Sequence, residues 1–70
     1  MKYYSVYEID KENNDLTNIF GSENREQVAD VLQVRIDNLA RYTTKNIEIA
    51  PRHSKIINNK ELFVIVDIID

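Results

Sequence analysis

The sequence predicts a small α+β domain in which an antiparallel sheet of three or four strands carries two short helices on one face. The two ends of the chain, Lys2–Asp10 and Glu61–Ile69, are dense in β-branched and aromatic residues, which favour strands. The middle of the chain instead repeats its apolar residues at helical spacing. The predicted order of elements is β-β-α-α-β-β, and a length of 70 residues predicts one domain, residues 1–70.

The first two strands are predicted to form a hairpin. Lys2–Asp10 places large side chains on both of its faces, so this strand is expected to be covered on both sides. Lys11–Asp15 is a predicted turn, because Asn and Asp tolerate left-handed backbone and form local hydrogen bonds. Leu16–Phe20 then returns as a short second strand, which Gly21 ends.

Two short helices are predicted to follow the hairpin. Ser22 or Asn24 is the candidate cap of the first helix, whose apolar stripe consists of Val28, Val31 and Leu32. A break near Gln33 separates it from a second helix that runs from about Arg35 to Thr44. The expected apolar stripe of the second helix consists of Ile36, Leu39, Ala40 and Tyr42.

The last part of the chain is predicted to return to the sheet. Asn46–Ala50 alternates apolar and polar residues, as a strand does. Arg52–Lys60 is a polar, basic loop that contains a plausible tight turn at Asn58-Asn59. Glu61–Ile69 is the strongest strand pattern in the chain, and we expect it in the centre of the sheet, because an exposed edge of this kind would promote aggregation.

The composition argues against catalytic, metal and membrane functions. The chain has no cysteine and one histidine, His53, so it offers a poor ligand set for zinc. Its single glycine, Gly21, excludes a glycine-rich phosphate loop. The apolar run Leu62–Val66 is far shorter than a membrane span. We therefore expect no enzyme activity, no cofactor and no membrane association. The absence of thiols and of an apolar leader favours the cytoplasm.

The net charge of −3 conceals an uneven distribution. Residues 1–34 carry three basic side chains against seven acidic ones, whereas residues 35–60 carry six basic side chains against two acidic ones. Residues 61–70 are acidic again. A positive middle between negative ends favours a local anionic partner over a general polyanion binder. Ordinary solvated surface charge would explain the same distribution.

The segment Arg25–Thr44 resembles the helix-turn-helix of bacterial and phage DNA-binding proteins. Two helices that cross over a short turn need a small residue at their closest approach, and Ala29 stands there. Apolar residues stand where each helix would pack on the body of the domain, at Val28, Leu32, Val34, Leu39 and Tyr42. The segment departs from the pattern at Gln33, where glycine is usual, and at Arg35, where a Ser or Thr cap is usual.

This resemblance implies a winged helix-turn-helix-like domain whose second helix lies in the DNA major groove. Arginine can grip guanine and asparagine can grip adenine, and basic residues in the following loop would neutralise phosphate. The candidate residues for binding DNA or another partner are Arg35, Asn38, Arg41, Lys45, Arg52, His53 and Lys55. A plain helical hairpin packed on a sheet, or a helix pair that docks a protein, would give the same pattern.

The whole chain also resembles a loosely defined group of short proteins from phages and mobile elements of low-GC Gram-positive bacteria. The matching pieces are Tyr4-Ser5-Val6-Tyr7, Gly21-Ser22 and Val28–Tyr42. The resemblance implies a small non-enzymatic DNA-binding or regulatory protein acting in the host cytoplasm. The alternative is an inhibitor or adaptor that binds a host protein, for example an anti-CRISPR-like inhibitor. A homodimer is left open, since DNA-binding proteins of this kind usually act as dimers.

Overall fold

A hairpin opens the chain in the computed structural model, which describes residues 1–10, 12–13, 15–44 and 54–69. Strand β1 (Lys2–Asp10) pairs antiparallel with β2 (Asp15–Ser22). The Asp10 carboxylate stabilises the turn between them, because it accepts hydrogen bonds from the Glu12 backbone N–H (3.0 Å) and from Asn13 Nδ2 (2.9 Å).

The second strand of the hairpin is longer than predicted and contains a β-bulge. It continues through Gly21, which was expected to end it. Val6 lies opposite Phe20, while the next residue, Tyr7, lies opposite Asn18. Ile19 is therefore the extra residue on β2, and the alternation of side chains between the two faces of β2 reverses at this point.

Helix α1 (Arg25–Leu32) begins on a side-chain cap. The Asn24 side chain accepts a hydrogen bond from the Glu26 N–H (2.8 Å), which confirms one of the two predicted caps. The other candidate, Ser22, supports this cap, because its hydroxyl accepts a hydrogen bond from the Asn24 N–H (3.0 Å).

The end of α1 is a Schellman motif. Gln33 follows the helix with a φ of 56°. The Gln33 N–H donates to the Asp30 carbonyl at 3.1 Å, and the Val34 N–H donates to the Ala29 carbonyl at 3.0 Å. These bonds satisfy two of the carbonyls that a helix end leaves without partners.

The second helical segment is a 3₁₀ helix of seven residues, Ile36–Tyr42. It is shorter than the predicted helix, whose last two residues instead form strand β3 (Thr43–Thr44). Strands β4 (Lys55–Ile57) and β5 (Lys60–Ile68) follow. The predicted strand Asn46–Ala50 lies outside the described residues.

The five strands form one mixed sheet with β5 in a central position, as the sequence predicted for its last strand. One edge of β5 pairs antiparallel with β1. The other edge pairs with β3 in parallel and with β4 antiparallel. Asn58 and Asn59 join β4 to β5 with φ values of 51° and 67°, so the predicted tight turn is confirmed and has the positive φ pair of a type I′ turn.

The prediction of a three- or four-stranded antiparallel sheet in a winged helix-turn-helix-like domain is wrong, although the protein is a small α+β domain. The reason lies in the direction of β3. Because β3 is parallel to β5, and β5 and β2 are both antiparallel to β1, β2 and β3 point the same way. Parallel strands need a crossover connection, and here the two helices form it.

The core lies between this crossover and one face of the sheet, which we call the helix face. Its fully buried residues include Val6, Val28, Leu32 and Val64. Other members of the same cluster are Tyr4, Ala29, Leu39, Leu62 and Val66. The opposite face is also buried at its centre, since Phe63 and Ile65 are 2% and 4% exposed. Burial on both faces explains the continuous apolar run of β5.

Candidate partner-binding surface

The 3₁₀ helix arranges its side chains in three straight rows. With three residues per turn, side chains at i and i+3 eclipse one another. The first turn is closed by a hydrogen bond from the Asn38 N–H to the Arg35 carbonyl (2.9 Å). Arg35, Asn38 and Arg41 therefore follow one another along a single row, which we call the basic row, and all three are exposed.

The inward row holds this helix on the sheet. Leu39 is 3% exposed and belongs to the core, and Tyr42 packs against the core. The Thr43 hydroxyl donates a hydrogen bond to the Leu39 carbonyl (2.8 Å) at the end of the helix. The prediction that Ala40 faces inward is wrong, because Ala40 is exposed. In a helix of three residues per turn the row on the sheet side is Ile36, Leu39 and Tyr42, of which Ile36, in the first turn, is 39% exposed.

A groove of about 480 Å³ runs beside this helix. It has an apolar floor and a charged rim, and its lining consists of Lys2, Tyr4, Arg25, Ile36, Asp37, Leu39, Ala40, Thr43 and Val66. A neighbouring depression of about 510 Å³ shares Lys2, Tyr4, Arg25 and Ile36 with it. We call the two together the helix groove. It lies where β1 starts, β5 ends and α1 begins.

Four basic side chains around this surface have no ion-pair partner in the part of the chain that the structure describes. They are Lys2, Arg25, Arg35 and Arg41. An ion pair does join Lys60 Nζ to Glu8 Oε1 at 3.6 Å, outside the groove lining. Asp37 lines the groove of about 480 Å³, and Glu23 and Glu26 line the neighbouring depression. Among the described residues, this surface thus carries four basic side chains without an ion pair, together with three acidic ones.

The structure brings together some of the predicted site residues but not all. Arg35, Asn38 and Arg41 share the basic row. Lys55 lies on β4, half-buried opposite Leu62, and is not part of the groove lining. The predicted site residues Lys45, Arg52 and His53 lie outside the described residues.

Sequence reasoning missed the residues that complete this surface, namely Lys2, Tyr4, Arg25 and Ile36. Lys2 and Arg25 belong to the acidic first part of the chain, where nothing local marks them as members of a basic surface. Only the return of β5 beside β1 and the position of the crossover place them next to the 3₁₀ helix. No short-range pattern carries that information.

Within the described ranges, no group of three or more histidine, cysteine and carboxylate side chains is placed to hold a metal ion. No described helix is long and apolar enough to cross a membrane. Comparisons with protein-family models, with curated proteins and with solved structures gave no match.

Proposed function

We propose that this chain is a small non-enzymatic binding protein that docks an acidic segment of a protein partner on its 3₁₀ helix and helix groove. The observations that carry the proposal are the exposed basic row of Arg35, Asn38 and Arg41 and the groove with an apolar floor that the other two rows of the same helix line. The proposal takes up the inhibitor or adaptor alternative of the sequence analysis. We place its action in the cytoplasm, since a chain without cysteine cannot use the disulfides that stabilise many small secreted domains.

The basic row suits carboxylates held on an ordered protein segment. Its two arginines are six positions apart, which corresponds to about 12 Å at the rise of a 3₁₀ helix. Each guanidinium can bind a carboxylate through two parallel hydrogen bonds, and Asn38 between them offers both a donor and an acceptor. Arginine is also among the residues that contribute most to protein interfaces.

The helix groove supplies the apolar part of such an interface. Tyr4, Leu39 and Val66 form its floor, and Ile36 is 39% exposed on its wall. An apolar side chain of the partner would bury surface there, which stabilises a complex by about 25 cal/mol per Å². Basic side chains at the rim would then meet the acidic residues that flank this anchor. An apolar centre surrounded by polar contacts is the usual anatomy of a protein interface.

DNA fits this surface less well than protein does. The second helical segment has seven residues in 3₁₀ geometry, whereas the major-groove readers that the sequence resembles use an α-helix. The chain carries a net charge of −3, so its long-range field repels a polyanion. A phosphate backbone would also leave the apolar floor of the groove unused. DNA binding therefore stays a prediction.

The test is a capture from nuclease-treated bacterial lysate with three full-length baits: wild type, Arg41→Ala and Lys60→Ala. The two variants lose the same charge, but Lys60 lies outside the groove lining, and its ion pair with Glu8 is on the surface, where such pairs stabilise little. We expect a protein bound in stoichiometric amount to wild type and to Lys60→Ala and lost with Arg41→Ala. Salt should release it, because exposed charges are screened.

The same three proteins are then mixed with duplex DNA of mixed sequence at low and moderate salt. We expect no mobility shift. A shift at low salt that Arg41→Ala removes, together with no captured protein that distinguishes the three baits, would replace this proposal with DNA binding.

A further inference from the structure

Strand β2 has no strand partner on its outer edge among the described residues, since it ends the strand order β2-β1-β5-β3. Its first five residues are exposed. They include two large aliphatic side chains, Leu16 at 40% and Ile19 at 46%. The backbone N–H and C=O groups of β2 that point away from β1 can pair with another strand.

We propose that this edge pairs antiparallel with β2 of a second copy of the chain, about a twofold axis at the bulge. The sheet then continues through both copies. The interface is isologous, so each contact occurs twice. This inference is independent of the proposed function, which uses a different surface for a different partner.

The bulge determines the register of this pairing, because residues directly opposite one another must share a face. On the helix face lie Asp15, Thr17, Phe20 and Ser22, which pair with Asp10, Glu8, Val6 and Tyr4. On the other face lie Leu16, Asn18 and Gly21, which pair with Ile9, Tyr7 and Ser5. The symmetric register that uses the whole strand satisfies this condition. It sets Asp15 opposite Ser22, Leu16 opposite Gly21 and Thr17 opposite Phe20.

The matching of faces makes β2 complementary to a second copy of itself, and its single charge sets the antiparallel direction. Asp15 is the one charged residue of β2. In this register it lies opposite Ser22 of the other copy, whose hydroxyl donates to Gln27 of α1 (2.7 Å). The two Asp15 carboxylates thus lie at opposite ends of the paired strands. A parallel arrangement would instead place the two Asp15 carboxylates side by side.

The apolar side chains of the two paired edges also complement each other. The Tyr3 ring lies over Gly21, with two ring carbons 3.0 Å from the position that a Cβ would take there. Leu16 of one copy, opposite Gly21 of the other, would pack against this ring. Ile19 lies next to the axis, where the two copies approach each other. The dimer therefore covers both exposed aliphatic residues of the edge.

Sedimentation velocity of the full chain over a range of concentrations tests the proposal. We expect a reversible dimer. Ile19→Lys places two ammonium groups at the axis and should weaken dimerisation at least tenfold, because edge lysines oppose strand pairing. The matched control is Ile56→Lys, since Ile56 is 64% exposed on β4 at the other side of the sheet. It should leave the dimer unchanged, and so should Arg41→Ala.

Sedimentation of the wild type alone gives a second arm that does not depend on the folding of the Ile19 variant. A single-chain mass at every concentration overturns the proposal. An equal response to the two lysine variants also overturns it.

Discussion

Gln33 holds a left-handed backbone conformation at the end of α1, with φ 56° and ψ 41°. For a residue with a Cβ this conformation costs roughly 1–2 kcal/mol, whereas glycine adopts it freely. The sequence analysis identified this position as one where glycine is usual, and the positive φ gives the reason. The chain retains glutamine there and still makes both capping hydrogen bonds.

We therefore expect Gln33→Gly to stabilise the protein. The free energy of unfolding should rise by about 0.5–1 kcal/mol, because relief of the left-handed strain is partly offset by the flexibility of glycine in the unfolded chain. Urea unfolding should show a higher midpoint with an unchanged slope. Gln33→Ala, which keeps the Cβ, is the control and should show no gain. A lower midpoint for the glycine variant would contradict this account of the turn.

At the scale of single elements, local chemistry predicted the parts that depend on neighbouring residues. Asn24 caps α1 and Asn58-Asn59 turns the last hairpin because hydrogen bonding by the side chain and tolerance of positive φ belong to those residues themselves. The bounds of β1 also agree with the prediction. The type of the second helix was not predictable, because over seven residues the two helical periods differ mainly in where they place Ala40.

Two substitutions separate the 3₁₀ helix from the α-helix that the sequence predicted. Leu39 is 3% exposed, so Leu39→Ala should lower the free energy of unfolding by about 2–5 kcal/mol. Ala40 is exposed, so Ala40→Lys should change it by less than about 0.5 kcal/mol. In the predicted α-helix both residues would face the core, and both substitutions would be costly. Urea unfolding of the two variants beside wild type measures the difference.

At the scale of the whole molecule, the sequence pattern could not predict how the elements are arranged. Thr43 and Thr44 are β-branched residues that any strand would accept, and nothing in them shows that they pair in parallel with Val64 and Ile65. That pairing makes the helical segment a crossover. It also brings Lys2 and Arg25 beside the 3₁₀ helix. Long-range pairing therefore decided both the fold and the candidate surface.

The same topology predicts where the molecule is most resistant to opening. Residues 62–66 of β5 are buried in succession, and strands pair with β5 on both of its edges. Strand β2 pairs on one edge only within the described structure, and its first five residues are exposed. Amides whose exchange requires global unfolding should therefore concentrate in β5, while those of β2 exchange through local opening.

Native-state hydrogen exchange measures this order directly. We expect the slowest amides within residues 62–66 and faster exchange along β2. The measurement is best made on Ile19→Lys as well as on wild type, because dimerisation through β2 would add protection to that strand alone. If β2 is the slower strand in the lysine variant too, the central position of β5 does not control the stability of the sheet. If the protection of β2 falls from wild type to the variant while that of β5 is unchanged, β5 is the most stable strand of the sheet and a second copy covers the edge of β2.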